Sequence, residues 1–328
     1  MVTDTLIIGA GLAGLMAATT LENAGKSVVV LDKGRSVGGR LATRRVGDGL
    51  ADHRAQFFTV RTNTFQRYVD QWMADDLVYI WGYGWSDGSL KRTISDGHPR
   101  YVTRGGMNNL AKDLAKSLKD VRVNVQVVSV DLNDNTWEVG DSDGRGYTAR
   151  SLVLTAPVPQ SLELVAKVPI SVQDRQELQR IQYGPCIAAM FMVEGEVDLP
   201  EPGAVQNFDK PVYWLADNKR KGITEQRIIT VHAEARYSRQ HYDDPDEDNL
   251  AFLRAPLEER MGPDAQIVEQ QLKKWRYSVP LTTYPRDCLP AGNMNLVFAG
   301  DAFGGRGRVE GAFLSGLAAG QAMLAKLT

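Results

Sequence analysis

The stretch from Thr5 to Asp32 constrains this chain more than any other part of it. Leu6, Ile7 and Ile8 form a short continuous apolar run, the pattern of a parallel strand buried on both faces. Gly9, Gly11 and Gly14 follow with G-x-G-x-x-G spacing. The first glycine permits a tight turn, and the second lets backbone approach a pyrophosphate. The third lets the helix predicted over Leu12–Asn23 pack close to the sheet. That helix, beginning Leu12-Ala13, presents unpaired N–H groups and a positive dipole end to an anion. Ser27 to Leu31 makes a second strand, and Asp32 at its end can accept hydrogen bonds from a ribose. The glycines follow a strand, open a helix and are answered by an acid about 20 residues on, so the stretch predicts a dinucleotide site. NAD, NADP and FAD all remain open at this point.

The 328 residues allow two domains or one large one, and 43% hydrophobic with 24% charged residues is ordinary for a soluble globular protein. A net charge of -2 argues against a dedicated nucleic-acid binder, which needs a basic surface. Cys186 and Cys288 show no metal-ligand spacing and read as reduced thiols, so no metal is expected. The apolar start lacks a basic n-region and carries Asp4, which argues against a signal peptide. No run of about 18 apolar residues predicts a membrane span. The default is a cytoplasmic protein.

After Asp32 comes a glycine-rich basic loop, Lys33 to Leu41. Gly38 and Gly39 allow close backbone approach, and Arg40 can set a guanidinium against a diphosphate. Ala51 to Thr59 packs an acid, an amide and two aromatics together, and reads as a ligand-facing loop or as a strand with one aromatic face. Thr64 to Asp75 predicts an amphipathic helix. Short antiparallel strands are expected from Val78 to Tyr101. Beyond Arg104-Gly-Gly-Met-Asn-Asn109 come a helix through Leu118, one strand over Val121–Leu132, hairpin strands at Trp137–Val139 and Tyr147, and a buried strand at Ser151–Pro157. From Val158 to Pro290 runs of strands replace β-α alternation, with helices at Val172–Ile181 and Asp246–Met261, which suggests an inserted antiparallel domain. The fold expected is α/β, a Rossmann-type dinucleotide-binding domain with a mainly antiparallel β-plus-helix substrate domain. Residues 1–60, 105–157 and 291–328 are assigned to the first, and 61–104 and 158–290 to the second.

The far end of the sequence narrows the cofactor. Asn295 to Asp301 reads as a buried strand ending in Gly300-Asp301, then a glycine-rich loop from Gly304 to Gly307 and a closing helix. A dinucleotide fingerprint at one end and this arrangement at the other imply a two-ended ligand, FAD, and so an FAD-binding Rossmann-type domain of the glutathione-reductase kind. Asp301 would accept from a ribityl hydroxyl. The helix N-terminus near Glu310 to Ala312 would favour the negative charge that develops on a reduced flavin ring. Near that N-terminus Glu310 itself reads as a capping and dipole-compensating residue.

These residues carry a family resemblance. The chain resembles the FAD-dependent amine-oxidase-like flavoproteins, and within them the renalase-like branch. The matching pieces are Gly9 to Gly14, Asp32 to Arg40, Asp52-x-x-Ala-Gln-Phe-Phe-Thr59, Gly105-Gly-Met107, Trp275-Arg-Tyr277, Gly300-Asp301 and Arg308 to Gly316. The resemblance implies ADP contacts at Gly9, Gly11, Gly14 and Asp32, diphosphate and flavin contacts at Gly39, Arg40 and Leu41, and an adenine-side contact at Val127. It implies ribityl and ring contacts at Gly300, Asp301, Val309, Glu310, Gly311 and Ala312, with Gln56 and Phe57 close to the ring, and non-covalent FAD. Arg54 stands where the family usually has glycine, and Lys273 where it usually has histidine.

The resemblance also implies chemistry: oxidation of dihydronicotinamide dinucleotide isomers by hydride transfer to flavin, with dioxygen taking the electrons. Such a transfer needs stacking and orientation rather than a general base. The pocket residues expected are Gln56, Phe57, Trp214, His232, Trp275, Tyr277 and Phe303, although the aromatics read equally as core and His232 as a satisfied core histidine. Two other readings stand beside this one: an FAD enzyme oxidising an amine or another small donor, and a flavin-holding protein without turnover. The added positive charge of Arg54 and Lys273 suits a phosphorylated donor better than a cationic amine.

Overall fold

The computed structural model describes residues 2–87, 93–207, 210–305 and 307–327. The chain divides into two compact units, one of residues 1–40, 110–182 and 280–328, the other of residues 41–109 and 183–279.

The first unit is built on a sheet whose middle strands are continuous apolar runs. Thr3–Ile8 lies between Val28–Leu31 and Gly146–Leu154, parallel to both, with Ile7 opposite Val30 on one side and Val153 on the other. Leu296–Phe298 adds parallel to Gly146–Leu154, and Val121–Arg122 adds parallel to Val28–Leu31. Leu6, Ile7, Leu152, Val153 and Val297 are fully buried, as strands covered on both faces require. The helices Leu12–Asn23 and Arg308–Leu327 pack together through small residues. A Cβ on Gly316 would lie 2.3 Å from the Ala13 carbonyl oxygen, and one on Gly320 would lie 2.5 Å from Thr20.

The second unit is a five-stranded sheet in the order Ala204–Gln206, Val212–Asp217, Ile228–Ala233, Tyr183–Glu194 and Gln266–Pro280. The first three pairings are antiparallel. Strand periodicity sorts its two faces. Phe191, Leu215, Ile229 and Val231 pack with Leu253 and Leu257 of the helix Asp246–Glu258. The alternate residues Met190 and Ile228 pack with Val46 and Ala51 of a ribbon formed by Thr43–Val46 and Gly49–Asp52. A second ribbon pairs Val78–Trp85 with Ile94–Thr103.

The structure corrects four details of the sequence reading. The strand expected over Val121–Leu132 is broken into Val121–Arg122 and Val127–Asn133, because Asn124 adopts a left-handed φ of 56° and donates its N–H to the Gly34 carbonyl. Tyr147 and Ser151 share one strand, Gly146–Leu154. Two short helices, Val158–Leu164 and Ala235–Gln240, had no strong periodic signal. The unit boundaries also differ from the expected ones. Residues 41–60 join the second unit through the ribbon that packs on Met190 and Ile228, and the helix Val158–Leu164 packs on Val127–Asn133 in the first. Of the glycine-rich loop Gly304 to Gly307, Arg306 lies outside the described residues.

Candidate active site

The first unit presents a cradle shaped for a dinucleotide. Gly9 leaves its strand at φ 110°, a conformation that favours glycine, and Thr155 closes over the turn with its hydroxyl on the Ile8 and Gly9 carbonyls. A Cβ on Gly14 would lie 1.8 Å from the Gly9 carbonyl oxygen, so the helix bearing Leu12 and Ala13 approaches as closely as only glycine allows. Gly11 is different. It is the N-cap, no side chain caps the helix there, and a Cβ on it would meet nothing within 4 Å. The helix N-terminus thus has open space at Gly11 and no side-chain cap among the described residues, as a pyrophosphate needs.

Around this turn lie the other residues expected at the cofactor. Asp32 accepts from the Ala10 N–H at 2.7 Å through one oxygen and from the Gly34 N–H at 2.6 Å through the other. Backbone therefore aims the carboxylate, and each oxygen keeps a lone pair for a ribose hydroxyl. Lys33 follows at the strand end. The loop is tied back by the Gly38 N–H on the Ala10 carbonyl at 2.8 Å, which brings Gly39 against Gly11. Val127 opens its strand beside Val125, whose N–H donates to the Asp32 carbonyl. Leu41, buried, is the first residue of the second unit.

At the other end, Gly300 at φ 139° donates its N–H to the Ser315 hydroxyl at 2.8 Å. Asp301 follows. Arg40 reaches it at 2.6 Å, so the guanidinium expected on a diphosphate is held by this carboxylate. The remaining oxygen, Asp301 Oδ1, is buried and unpartnered among the described residues. It is an acceptor placed for a hydroxyl, and a buried acceptor without a donor costs about 1–3 kcal/mol until one arrives. Val309, Glu310, Gly311 and Ala312 occupy the first turn of the helix Arg308–Leu327, with Glu310 buried there. The open helix N-terminus, the oriented Asp32 and the unmatched Asp301 oxygen fit an FAD.

The second unit carries the other expected side chains. On the sheet face opposite the Leu253 helix, Trp214 stands beside His232 in cross-strand register. Thr230, on the same face two residues before His232, donates to the Asp52 carbonyl at 2.8 Å and pins the 52–58 segment onto the sheet. Gln56 Nε2 donates to that carbonyl at 2.6 Å, while Gln56 Oε1 is buried without a partner among the described residues. Phe57 leans on Trp85 and Trp214, with ring centroids 5.1 and 5.6 Å away, and Trp81 and Trp85 complete an aromatic cluster. His53 stacks on Trp275 at 5.3 Å. Burial, helped by the charges of Arg44 and Lys273, pushes the His53 pKa down to about 3, and burial holds His232 well below the usual histidine range. Both are neutral near pH 7.

Asp52 organises this unit. Its Oδ2 accepts from Lys221 Nζ at 2.6 Å, and its Oδ1 accepts from the Thr43 hydroxyl at 2.5 Å and the Met107 N–H at 2.9 Å.

A family model described as flavin containing amine oxidoreductase matches residues 73–324, and one described as an NAD(P)-binding Rossmann-like domain matches residues 7–72. The chain belongs to the flavin-containing amine oxidoreductases. It is a renalase-like member, with FAD as its cofactor and oxidoreduction as its chemistry. Renalase of Mus musculus is 25% identical over 296 residues, covering 83% of this chain and 84% of that protein. Among solved structures, a variant of putrescine oxidase made in a redesign of cofactor binding shares the fold with a TM-score of 0.68 at 17% identity, covering 99% of each chain. A structure solved as a candidate protoporphyrinogen oxidase from an Exiguobacterium species has a TM-score of 0.70 at 11% identity, covering 99% of this chain and 98% of that one.

In this flavin-containing amine oxidoreductase, Gln56, Phe57, Trp214, His232, Trp275 and Tyr277 all fall in the second unit. Phe303 does not. It is fully buried in the first unit, edge-on to Tyr284, so it reads as core. Lys221 gave no sequence signal, because Lys219-Arg-Lys221-Gly222 reads as a solvated basic turn. Trp81 and Trp85 sat in a segment read only as alternating strands. Cys288, read from the sequence as a reduced thiol, is pushed up to about 11 by burial and so stays a protonated thiol near pH 7, in keeping with the non-covalent FAD expected.

Proposed function

We propose that this enzyme oxidises isomeric dihydronicotinamide dinucleotides by hydride transfer, the first unit holding FAD and the second orienting the donor. FAD, when bound, accepts the hydride and passes the electron pair to dioxygen. The observation that carries the reading is the second unit's aromatic sheet face, whose histidines are neutral and whose nearby charges unpaired among the described residues, Arg54 and Lys273, are cationic. Its buried carboxylate, Asp52, is already matched by Lys221, so it offers no free anion for a protonated amine. His53 and His232 are neutral and buried, and a dihydronicotinamide needs no base, since its ring nitrogen supplies the electron push. What remains for the protein is to stack a planar ring and exclude water, which Phe57, Trp214 and Trp275 suit.

The test is anaerobic bleaching of the holoenzyme's flavin absorbance by 2- and 6-dihydronicotinamide isomers, by ordinary NADH and NADPH, and by a panel of amines. Fast bleaching by the isomers alone supports the proposal. Bleaching by amines alone replaces it with an amine-oxidase reading, which the fold shared with putrescine oxidase keeps as the second choice.

A further inference from the structure

The geometry points to Arg54 as the anchor for an anionic group, phosphate or carboxylate, on the donor. The inference rests on the donor assignment above and adds the residue that selects for charge. Arg54 is half-buried in the second unit, and its Nε and Nη2 both donate to one neutral acceptor, the Ser278 carbonyl, at 3.3 and 2.9 Å. No carboxylate pairs with it among the described residues. A guanidinium carries five N–H donors in a planar fork, so the Ser278 carbonyl and a hydrogen bond to the Tyr213 hydroxyl, both neutral, leave part of it unused.

Its surroundings supply no compensating charge among the described residues. Cys186 and Tyr213 lie close, the thiol kept protonated by burial and the phenol pushed up to about 12 by burial. His232, also close, is neutral for the same reason. Beside them, the stacked pair of His53 and Trp275 leaves two buried polar atoms, His53 Nδ1 and Trp275 Nε1, without partners among the described residues.

The strand Gln266–Pro280 sharpens the contrast. Lys274 and Arg276 pair with Asp246 at 2.9 Å and Asp243 at 3.7 Å. Lys273, on the alternate face with Trp275, has its ammonium 5.6 Å from that ring and no carboxylate among the described residues. Basic residues on one face are thus neutralised internally. Arg54 and Lys273 are not, and an arriving oxyanion would find a preformed fork at Arg54.

The test compares wild-type, Arg54→Gln and Arg54→Lys holoenzymes. Flavin bleaching is followed with 6-dihydro-NAD, which carries a diphosphate, and with 6-dihydronicotinamide riboside, which carries none. Arg54→Gln should raise the half-saturating dinucleotide concentration about 10- to 100-fold, as loss of a charge-assisted contact does. The limiting rate and the riboside response should hold, and Arg54→Lys should recover part of the loss. Equal losses on both donors, or none on the dinucleotide, would overturn the assignment. Calorimetric titration of each holoenzyme with inorganic pyrophosphate and with malonate supplies a readout free of any donor. Arg54-dependent binding of pyrophosphate supports a phosphate anchor, and of malonate alone a carboxylate anchor. Binding of neither, or binding indifferent to Arg54, overturns it. If no dihydronicotinamide bleaches the flavin while anion binding still needs Arg54, the donor reading fails and the anchor stands.

Discussion

Lys221 and Asp52 form an ion pair closed to solvent, with Nζ 2.6 Å from Oδ2 and both side chains 0% exposed. Burial pushes the lysine's pKa down, and the adjacent carboxylate opposes that push. Because Asp52 also holds Thr43, Met107 and, through its carbonyl, Gln56 and Thr230, the pair decides where the segment carrying Gln56 and Phe57 lies.

Lys221→Met should therefore destabilise the protein by about 3–5 kcal/mol, the cost of leaving a buried charge alone. The double variant Asp52→Asn/Lys221→Met should recover part of that loss. Urea midpoints of the two variants check it, and a Lys221→Met midpoint equal to wild type would show that the pair is not a buried charge pair in solution.

The cradle predicts two glycine variants with different failures. Gly11→Val has room for its Cβ, so the chain should fold and lose flavin, because the side chain takes the space a pyrophosphate needs. Gly14→Ala should fail earlier, giving little soluble protein, since its Cβ falls 1.8 Å from a backbone oxygen. Flavin absorbance per folded protein, read beside circular dichroism, separates the outcomes.

Asp301→Ala should also empty the site, because it removes the unmatched Oδ1 acceptor and the ion pair with Arg40. Full flavin occupancy in this variant would remove Asp301 from the cofactor contacts.

The buried histidines set a pH dependence. His53 binds its proton near 6.5 when unfolded but only near 3 when folded. Between those values the unfolded chain holds more protons, so stability falls as pH drops, by about 1.4 kcal/mol per pH unit for this histidine. His232 acts in the same direction. Chemical denaturation from pH 7 to 4 should show the slope, and His53→Asn should flatten it.

Flavin should leave the protein on acid precipitation, since Cys288 is held protonated and no tether is expected. Yellow pellets after washing would contradict this.

How much of this was legible in the sequence follows from where each signal is local. The Gly9–Gly14 turn, the helix Leu12–Asn23 and the closing helix Arg308–Leu327 are read correctly because spacing along the chain dictates them. Asn124 looked like one more polar residue in an alternating run, and its left-handed backbone depends on a hydrogen bond to Gly34, ninety residues earlier in the chain. The Lys221–Asp52 pair joins residues 169 apart, and no local pattern announces a partner at that distance. The same holds for Arg54, whose acceptor is 224 residues away. Phe303 shows the converse, an aromatic in a suggestive loop that packing consigns to the core.

The packing of Gly316 and Gly320 onto Ala13 and Thr20 bears on the order in which the enzyme matures during synthesis. The unit of residues 41–109 and 183–279 is complete in the nascent chain while the other still lacks residues 280–328. Domains generally fold as units as they emerge from the ribosome. The later-numbered unit therefore has its whole sequence first, and the glycine turn that opens the chain must wait for its partner helix before flavin loading can be completed.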